Sequence, residues 1–261
     1  MPSQSWRCAL IIGGAGGLSR LFAQSLVKRG TKVYMAGKSE SDLARTVKEI
    51  GAAGYFVVDV GDISSLPAFV EKVTKEVPDI DFFLNNMAIR RLVNFEAGAD
   101  LNIISQEINI NTTSLVHLCA LFIPHLKAKP RASIQIVGSG LAYVPLTIVP
   151  IYSATKAFLK SFTLSLREQL RSTNITVVEI SPPRVEFAPH WDYTNPDKGG
   201  DYHPSVPQEK WVARVEKGWD KGKEEIGAGW SQAVIDIWRK AFGEIFRKMT
   251  GKSRGRVVDL L

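Results

Sequence analysis

Only two cysteines, Cys8 and Cys119, occur in 261 residues, too few for a disulfide framework. One falls in an apolar stretch that predicts a strand and the other in one that predicts a helix, so both read as buried free thiols of a reducing compartment. The chain has no run of 18 apolar residues for a membrane span, and MPSQSWRC lacks the apolar centre of a secretory leader. The expectation is a cytoplasmic protein. Arginine-rich runs and interleaved aromatic and basic residues are also missing, so the net charge of +7 reads as a solvated basic surface, not a nucleic-acid footprint. His190 and His203 have no companion ligands at metal-site spacing, and no metal is expected. Two glycosylation sequons, Asn111-Thr112-Thr113 and Asn174-Ile175-Thr176, fall inside predicted elements and read as coincidence. Linkers and repeats are absent. With 45% hydrophobic and 23% charged residues, the length suits one α/β domain with a sizeable core.

What is present begins at the amino end. RCALIIGGAGGLSRLFAQSLVKRG predicts an apolar strand (Cys8 to Ile12), a turn carrying Gly13, Gly14, Gly16 and Gly17, and a helix with Leu18, Leu21, Phe22 and Leu26 on one side, ending at Gly30. Glycines at a strand-to-helix turn let the backbone approach a pyrophosphate, and the helix amino terminus favours an anion. This context points to a dinucleotide. Further strands are expected at Thr31 to Gly37, Tyr55 to Val60, Ile80 to Ile89, the run ASIQIVG before Ser139, and Ile175 to Ser181, alternating with helices. The second of these ends at Lys38-Ser39, with a helix capped near Ser41. An acid there would hold a ribose diol, whereas a base accommodates a 2′-phosphate. Since no acid occurs before Glu40, the pattern favours NADP(H), with Lys38 and Ser39 as contacts and Arg20 assisting.

The stretch SGLAYVPLTIVPIYSATK holds Tyr152 and Lys156 four residues apart, on one face of a predicted helix. A phenol titrates near pH ~10, and a neighbouring ammonium stabilises its phenolate by Coulomb attraction. Ser139 stands at the end of a predicted strand, where its hydroxyl can hydrogen-bond a carbonyl or alkoxide oxygen while the phenol moves the proton. A Tyr-Lys pair alone is more often a plain helix surface.

From about Leu10 to about Val185, these residues together resemble the short-chain dehydrogenase/reductase family. Where that family carries T-G-x-x-x-G-x-G, the chain has Ile12-Gly13-Gly14-Ala15-Gly16-Gly17-Leu18-Ser19, so Ile12 and Ser19 depart from the pattern. The resemblance implies cofactor contacts at Gly13, Gly16, Gly17, Leu18 and Ser19, an adenine contact at Asp59 and Val60, and a ribose-side wall at Asn86 and Ala88. Asn85-Asn86-Met87-Ala88 stands for the family's N-N-A-G, its larger residues tightening that wall. Asn111 matches the asparagine that interrupts its helix and holds a water on a proton path to the lysine, completing a catalytic set with Ser139, Tyr152 and Lys156. Tyr152 and Lys156 also count as cofactor contacts. Pro182-Pro183-Arg184-Val185-Glu186 replaces P-G-x-V-x-T, where Pro182 and Val185 border the nicotinamide carboxamide and Glu186 stands for the threonine. Pro183 resembles a subgroup of bacterial oxidoreductases associated with D-alanine transfer to teichoic acid, and their fungal relatives.

Residues 187 to 230 lack periodicity at their start and are expected to form a substrate loop or lid, with Trp191, Tyr193, Tyr202 and Trp211 either lining an apolar pocket or packing the lid onto the body. From 231 to 250, Val234, Ile237, Trp238, Ala241, Phe242, Ile245, Phe246 and Met249 recur at helical spacing opposite Arg239, Lys240, Arg247 and Lys248. That amphipathic helix is expected to pack on the body or on a second subunit of a homo-oligomer, a dimer or tetramer, although a basic stripe of this kind also suits a membrane surface. The final GKSRGRVVDLL reads as a loosely held tail. The expected fold is a Rossmann-type doubly wound parallel sheet in a single α/β domain with a substrate lid. The expected activity is NADP(H)-dependent interconversion of a ketone or aldehyde with an alcohol. Two alternatives are a reductase or cyclase of an imine or other specialised intermediate, and a non-catalytic NADP(H) sensor.

Overall fold

The computed structural model describes residues 6–186 and 205–253. Its organising strand is β1, Cys8–Ile12, whose five residues are all buried. An apolar run of this length without alternation belongs in the middle of a parallel sheet covered on both faces. Accordingly β1 pairs in parallel with β2 (Lys32–Gly37) on one side and β4 (Phe82–Asn85) on the other. The chain winds outward from β1 through β2 to β3 (Gly54–Val57), returns to β4, then winds the other way through β5 (Ala132–Val137), β6 (Ile175–Ser181) and β7 (Glu225–Gly227). The sheet order is β3-β2-β1-β4-β5-β6-β7, with every pair parallel. The winding direction reverses between β1 and β4, which opens a crevice at the carboxyl ends of those strands. This is the doubly wound fold the sequence predicts.

Helices cover both faces. On one, α3 (Leu66–Glu76), α5 (Ser114–Lys127) and α6 (Pro150–Leu170) bury Val73, Leu118, Phe122 and Leu159 against Leu10, Phe83 and Ile134. On the other, α1 (Gly17–Lys28), α2 (Glu40–Ile50) and α7 (Gln208–Asp220) bury Phe22, Leu43, Trp211 and Trp219 against Ile11, Met35 and Phe82. Pro67 is accepted in the first turn of α3, where its missing N–H has no intrahelical acceptor. A short helix α4 (Leu101–Ile108) leads into α5 through a wide turn at Asn109–Thr113, the interruption expected around Asn111.

The carboxyl-terminal third differs from expectation. Residues 208–227, grouped with the loop, form α7 and β7, an integral layer of the domain. Trp211 is fully buried in the core and lines no cleft. Trp219 meets Trp6 and Phe82 edge-on, with ring centroids 5.5 and 6.0 Å away, and its indole N–H donates to Gln135 Oε1 at 3.1 Å. Trp191, Tyr193, Tyr202, His190 and His203 lie outside the described residues, as does the tail from 254. The last helix, α8 (Gly229–Ser253), packs through Ile235, Trp238 and Phe246, but Ile237, Phe242, Ile245 and Met249 of its apolar stripe face solvent. No helix among the described residues is long and apolar enough to cross a membrane.

Trp219→Ala would leave a cavity and an unpaired buried amide oxygen between two elements. It is expected to lower the unfolding free energy by about 3–5 kcal/mol with the urea m-value unchanged, measured by denaturant titration.

Candidate active site

The glycine turn after β1 is held by two amides, Gly13 and Gly14, which donate to the Ala36 carbonyl at 3.1 and 3.0 Å. Close packing forces glycine at 13, because a Cβ there would come within 2.5 Å of Ser19 Oγ and 3.0 Å of Asn86 Cβ. On the other side of the turn, Cβ atoms built at Gly14, Gly16 and Gly17 would meet nothing within 4 Å. The start of α1 has no side-chain cap and no acid in its first turn, so its free amides and the helix dipole face open space. Such a turn can receive an anion of the size of a phosphate. Leu18 is half-buried against the core. Ser19 turns inward: fully buried, its hydroxyl donates to the Gly13 carbonyl at 3.0 Å and accepts from Asn86 Nδ2 at 2.9 Å. Its side chain therefore fastens the turn to β4 and does not reach the cleft. Asn86 is consumed in the same clamp, its backbone N–H donating to the Ile12 carbonyl at 2.7 Å. Met87 packs on the core beside half-buried Ala88.

At the edge of the cleft, Lys38 is 77% exposed and ion-paired with Asp59 at 2.7 Å. The pair raises the lysine pKa and lowers that of the aspartate, whose carboxylate also accepts from the Gly61 amide at 3.0 Å. Ser39, and not Ser41, caps α2, accepting from the Asp42 amide. Val60 is buried in the core, so only its backbone can face a ligand. Arg20 is paired with Glu49, and Glu40 accepts from the Tyr55 hydroxyl at 3.2 Å. The basic element at this edge is thus an existing ion pair.

The four residues singled out by motif stand around the end of β5 and the start of α6. Tyr152 sits in the first turn of α6, where the positive end of the helix favours a phenolate. Lys156 Nζ lies 5.4 Å from its ring centroid and donates to the Val137 carbonyl at 2.7 Å. That ammonium is only 2% exposed, and burial lowers its pKa to about 8 against the opposing pull of Glu179. Ser139 follows β5 and its Oγ accepts from the Leu141 amide at 3.1 Å, which leaves the hydroxyl hydrogen to donate. Asn111 is fully buried. Its side chain accepts from the Ile89 amide and donates to the Ile89 carbonyl, both at 2.8 Å, and reaches Thr155 Oγ1 at 3.1 Å. It thereby ties the loop after β4 to the amino-terminal half of α6.

Two charged residues near this centre escaped the motif reading. Arg90 lies 5.9 Å from the Tyr152 ring centroid, a second cation beside the phenol. Glu107, four residues before Asn111 on α4, is fully buried with neither carboxylate oxygen hydrogen-bonded. An acid on a helix face otherwise carrying Asn111 was the available signal. Beyond β6, Pro182 accepts from Ser231 Oγ at 3.1 Å, Val185 bridges to Val206, and Glu186 Oε1 accepts from Ser205 at 3.0 Å. Among the described residues no group of three His, Cys, Asp or Glu side chains could hold a metal ion.

A doubly wound parallel sheet with a glycine turn at its switch point and a Ser-Tyr-Lys-Asn centre defines the class of nucleotide-binding oxidoreductase folds. Residues 7–199 match the model of the short chain dehydrogenase family. The chain is 36% identical over 241 residues to the uncharacterized oxidoreductase DltE of Bacillus subtilis, covering 92% of this chain and 95% of that one. Its fold matches the Pseudomonas aeruginosa RhlG/NADP active-site complex with a TM-score of 0.75 at 18% identity, over 88% of this chain and 98% of the other. An actinorhodin polyketide ketoreductase with NADPH gives 0.74 at 19% identity, over 87% and 97%. The protein belongs to the short-chain dehydrogenase family.

Burial raises the pKa of Glu107, with Arg91 and Arg90 opposing. A carboxyl whose folded pKa is raised stabilises the fold below its unfolded pKa of ~4.3, and that contribution is lost as pH rises through the folded value. Glu107→Gln is therefore expected to match the parent near pH ~4 and to exceed it by about 1 kcal/mol near pH ~8, read from urea unfolding at both values.

Proposed function

We propose that this protein is an NADP(H)-dependent oxidoreductase interconverting a ketone or aldehyde with the corresponding alcohol. The observation that carries this reading is the buried Lys156 ammonium, 5.4 Å from the Tyr152 ring and donating to the Val137 carbonyl, two residues before Ser139 on the strand end that Ser139 follows. The residues suit a dinucleotide. Open space before Gly14, Gly16 and Gly17 at an uncapped helix start fits the pyrophosphate, and Lys38 with Ser39 at the end of β2 fits a 2′-phosphate. Asp59 and the Val60 backbone border the adenine side, Ala88 and the clamped Asn86 the ribose side, and Pro182 with Val185 the carboxamide. The presence of NADP or NADPH in the RhlG and ketoreductase structures supports the same choice.

When bound, the nicotinamide supplies or accepts the hydride. In reduction, Ser139 donates a hydrogen bond to the substrate oxygen and Tyr152 gives that oxygen its proton. The phenolate left behind is stabilised by Lys156, by Arg90 and by the first turn of α6, all positive. Asn111 keeps α6 in register with the loop after β4, and the family resemblance gives it the further role of holding a water on the path by which Lys156 exchanges its proton. Oxidation of the alcohol uses the same groups in reverse.

Tyr152→Phe is expected to lower kcat/KM for carbonyl reduction by about 10²–10⁴-fold while NADPH binding, followed by fluorescence titration, is retained. Full activity in that variant would remove the mechanism. A screen of carbonyl compounds followed by NADPH absorbance, repeated with NADH, is expected to favour NADPH. Lys38→Ala should raise the KM for NADPH about tenfold and leave that for NADH nearly unchanged, a loss of ~1.4 kcal/mol confined to the phosphorylated cofactor. Equal effects on both cofactors would overturn the role of Lys38.

A further inference from the structure

α6 buries three cations on the face it turns to the sheet, Lys156, Lys160 and Arg167. Opposite them, Glu179 stands on β6 beside Ile136 of β5, only 1% exposed. Such a carboxylate is costly to bury unless charge opposes it. Its Oε1 accepts from Ser181 Oγ at 2.7 Å, while Oε2 makes no hydrogen bond and has Lys160 Nζ at 3.4 Å. Lys160 is chiefly engaged elsewhere, donating to Glu225 Oε1 at 2.6 Å, and Glu225 is also paired with Arg239 of α8. Arg167 donates to the carbonyls of Val177 and Glu224 and faces the Glu224 carboxylate at 3.6 Å. Tyr143, whose ring lies 5.1 Å from Lys160 Nζ, adds a buried hydroxyl with no partner. Two of the three α6 cations thus have acids on or before β7.

Lys156 has no such partner. Its ammonium rests on the Val137 carbonyl, and the next residue, Gly138, is the one against which Glu179 lies: a Cβ there would meet Glu179 Oε1 at 2.8 Å. Ammonium and carboxylate therefore bear on neighbouring residues of one strand end, the end that continues into Ser139. We propose that Glu179 is a positioning residue of the active site, whose buried carboxylate supplies the counter-charge that keeps Lys156 an ammonium and so sets the upper pH limit for proton transfer by Tyr152. This rests on the Tyr152–Lys156 mechanism for its consequence, but the counter-charge itself is measurable without turnover. Burial drives Lys156 toward the neutral amine and Glu179 acts the other way. Above the titration of Lys156 the phenolate loses its closest buried cation.

The test is the titration of Lys156 in the intact, cofactor-free protein, read from the Cε resonance of carbon-13-labelled lysine and identified by its disappearance in Lys156→Met. The unmodified protein is expected to titrate near pH 8. Glu179→Gln should move that midpoint down by about one pH unit, and Glu179→Asp, which keeps the charge on a shorter arm, by less. The alkaline limb of reduction, for a ketone from the screen above, should move with it while the rate on the acid side stays within about twofold. A Lys156 midpoint unmoved in Glu179→Gln would overturn the proposal, as would a loss of rate equal at all pH values. Should Glu179→Gln fail to fold, an unmoved midpoint in Glu179→Met, which also removes the charge, does the same. Full activity in Tyr152→Phe would instead sink the proposed function and leave the counter-charge standing.

Discussion

A positively charged amine held almost out of water is the constraint that the rest of the molecule serves. Lys156 can stay charged there only if dipoles and opposite charges are fixed around it, and each comes from a different element. The Val137 carbonyl comes from β5, the carboxylate of Glu179 from β6, and the geometry of the helix from Pro150, which starts α6 with a pre-set backbone angle. Asn111 then locks that helix to the loop after β4. Because these elements are neighbours in the sheet order β4-β5-β6, the site is a property of the sheet and not of any one loop.

Departures from the family pattern are accommodated by partners fixed in the same way. Serine at 19 would crowd a glycine position, yet its hydroxyl is absorbed by two hydrogen bonds, to the Gly13 carbonyl and from Asn86. A buried hydroxyl with both partners made costs little and stiffens the turn. Glu186, which stands where the family pattern has a threonine, is engaged by Ser205 on the neighbouring segment. Ser19 has thus become an internal strut, whereas the Glu186 bond lies at the surface.

What could be read from the residues alone was local. β1 and β6 have the predicted bounds, because a run such as CALII or ITVVEIS carries its burial in its own composition. The glycine turn stood out by its residue type, whereas Ser139, Tyr152 and Lys156 were picked out by their chemistry and spacing and by the family resemblance. β7 was not, since three residues at a sheet edge show no period, and α7 followed it into the segment assigned to a lid. The bond from Trp219 to Gln135 and the pairing of Lys160 with Glu225 join residues 84 and 65 positions apart, and no pattern in the sequence announces such distances. Glu107 and Glu179 were hidden inside a helix and a strand that read correctly as elements, because one acid within an apolar stretch does not disclose what faces it.

The ion pair between Lys38 and Asp59 gives the rim of the cleft a switchable character. A cation already held by a carboxylate meets any anion by exchange and not by simple capture, and the aspartate is released only as the newcomer takes its place. Added salt weakens the resident pair and a competing anion alike, so it changes the balance at this rim less than it would at a solitary lysine.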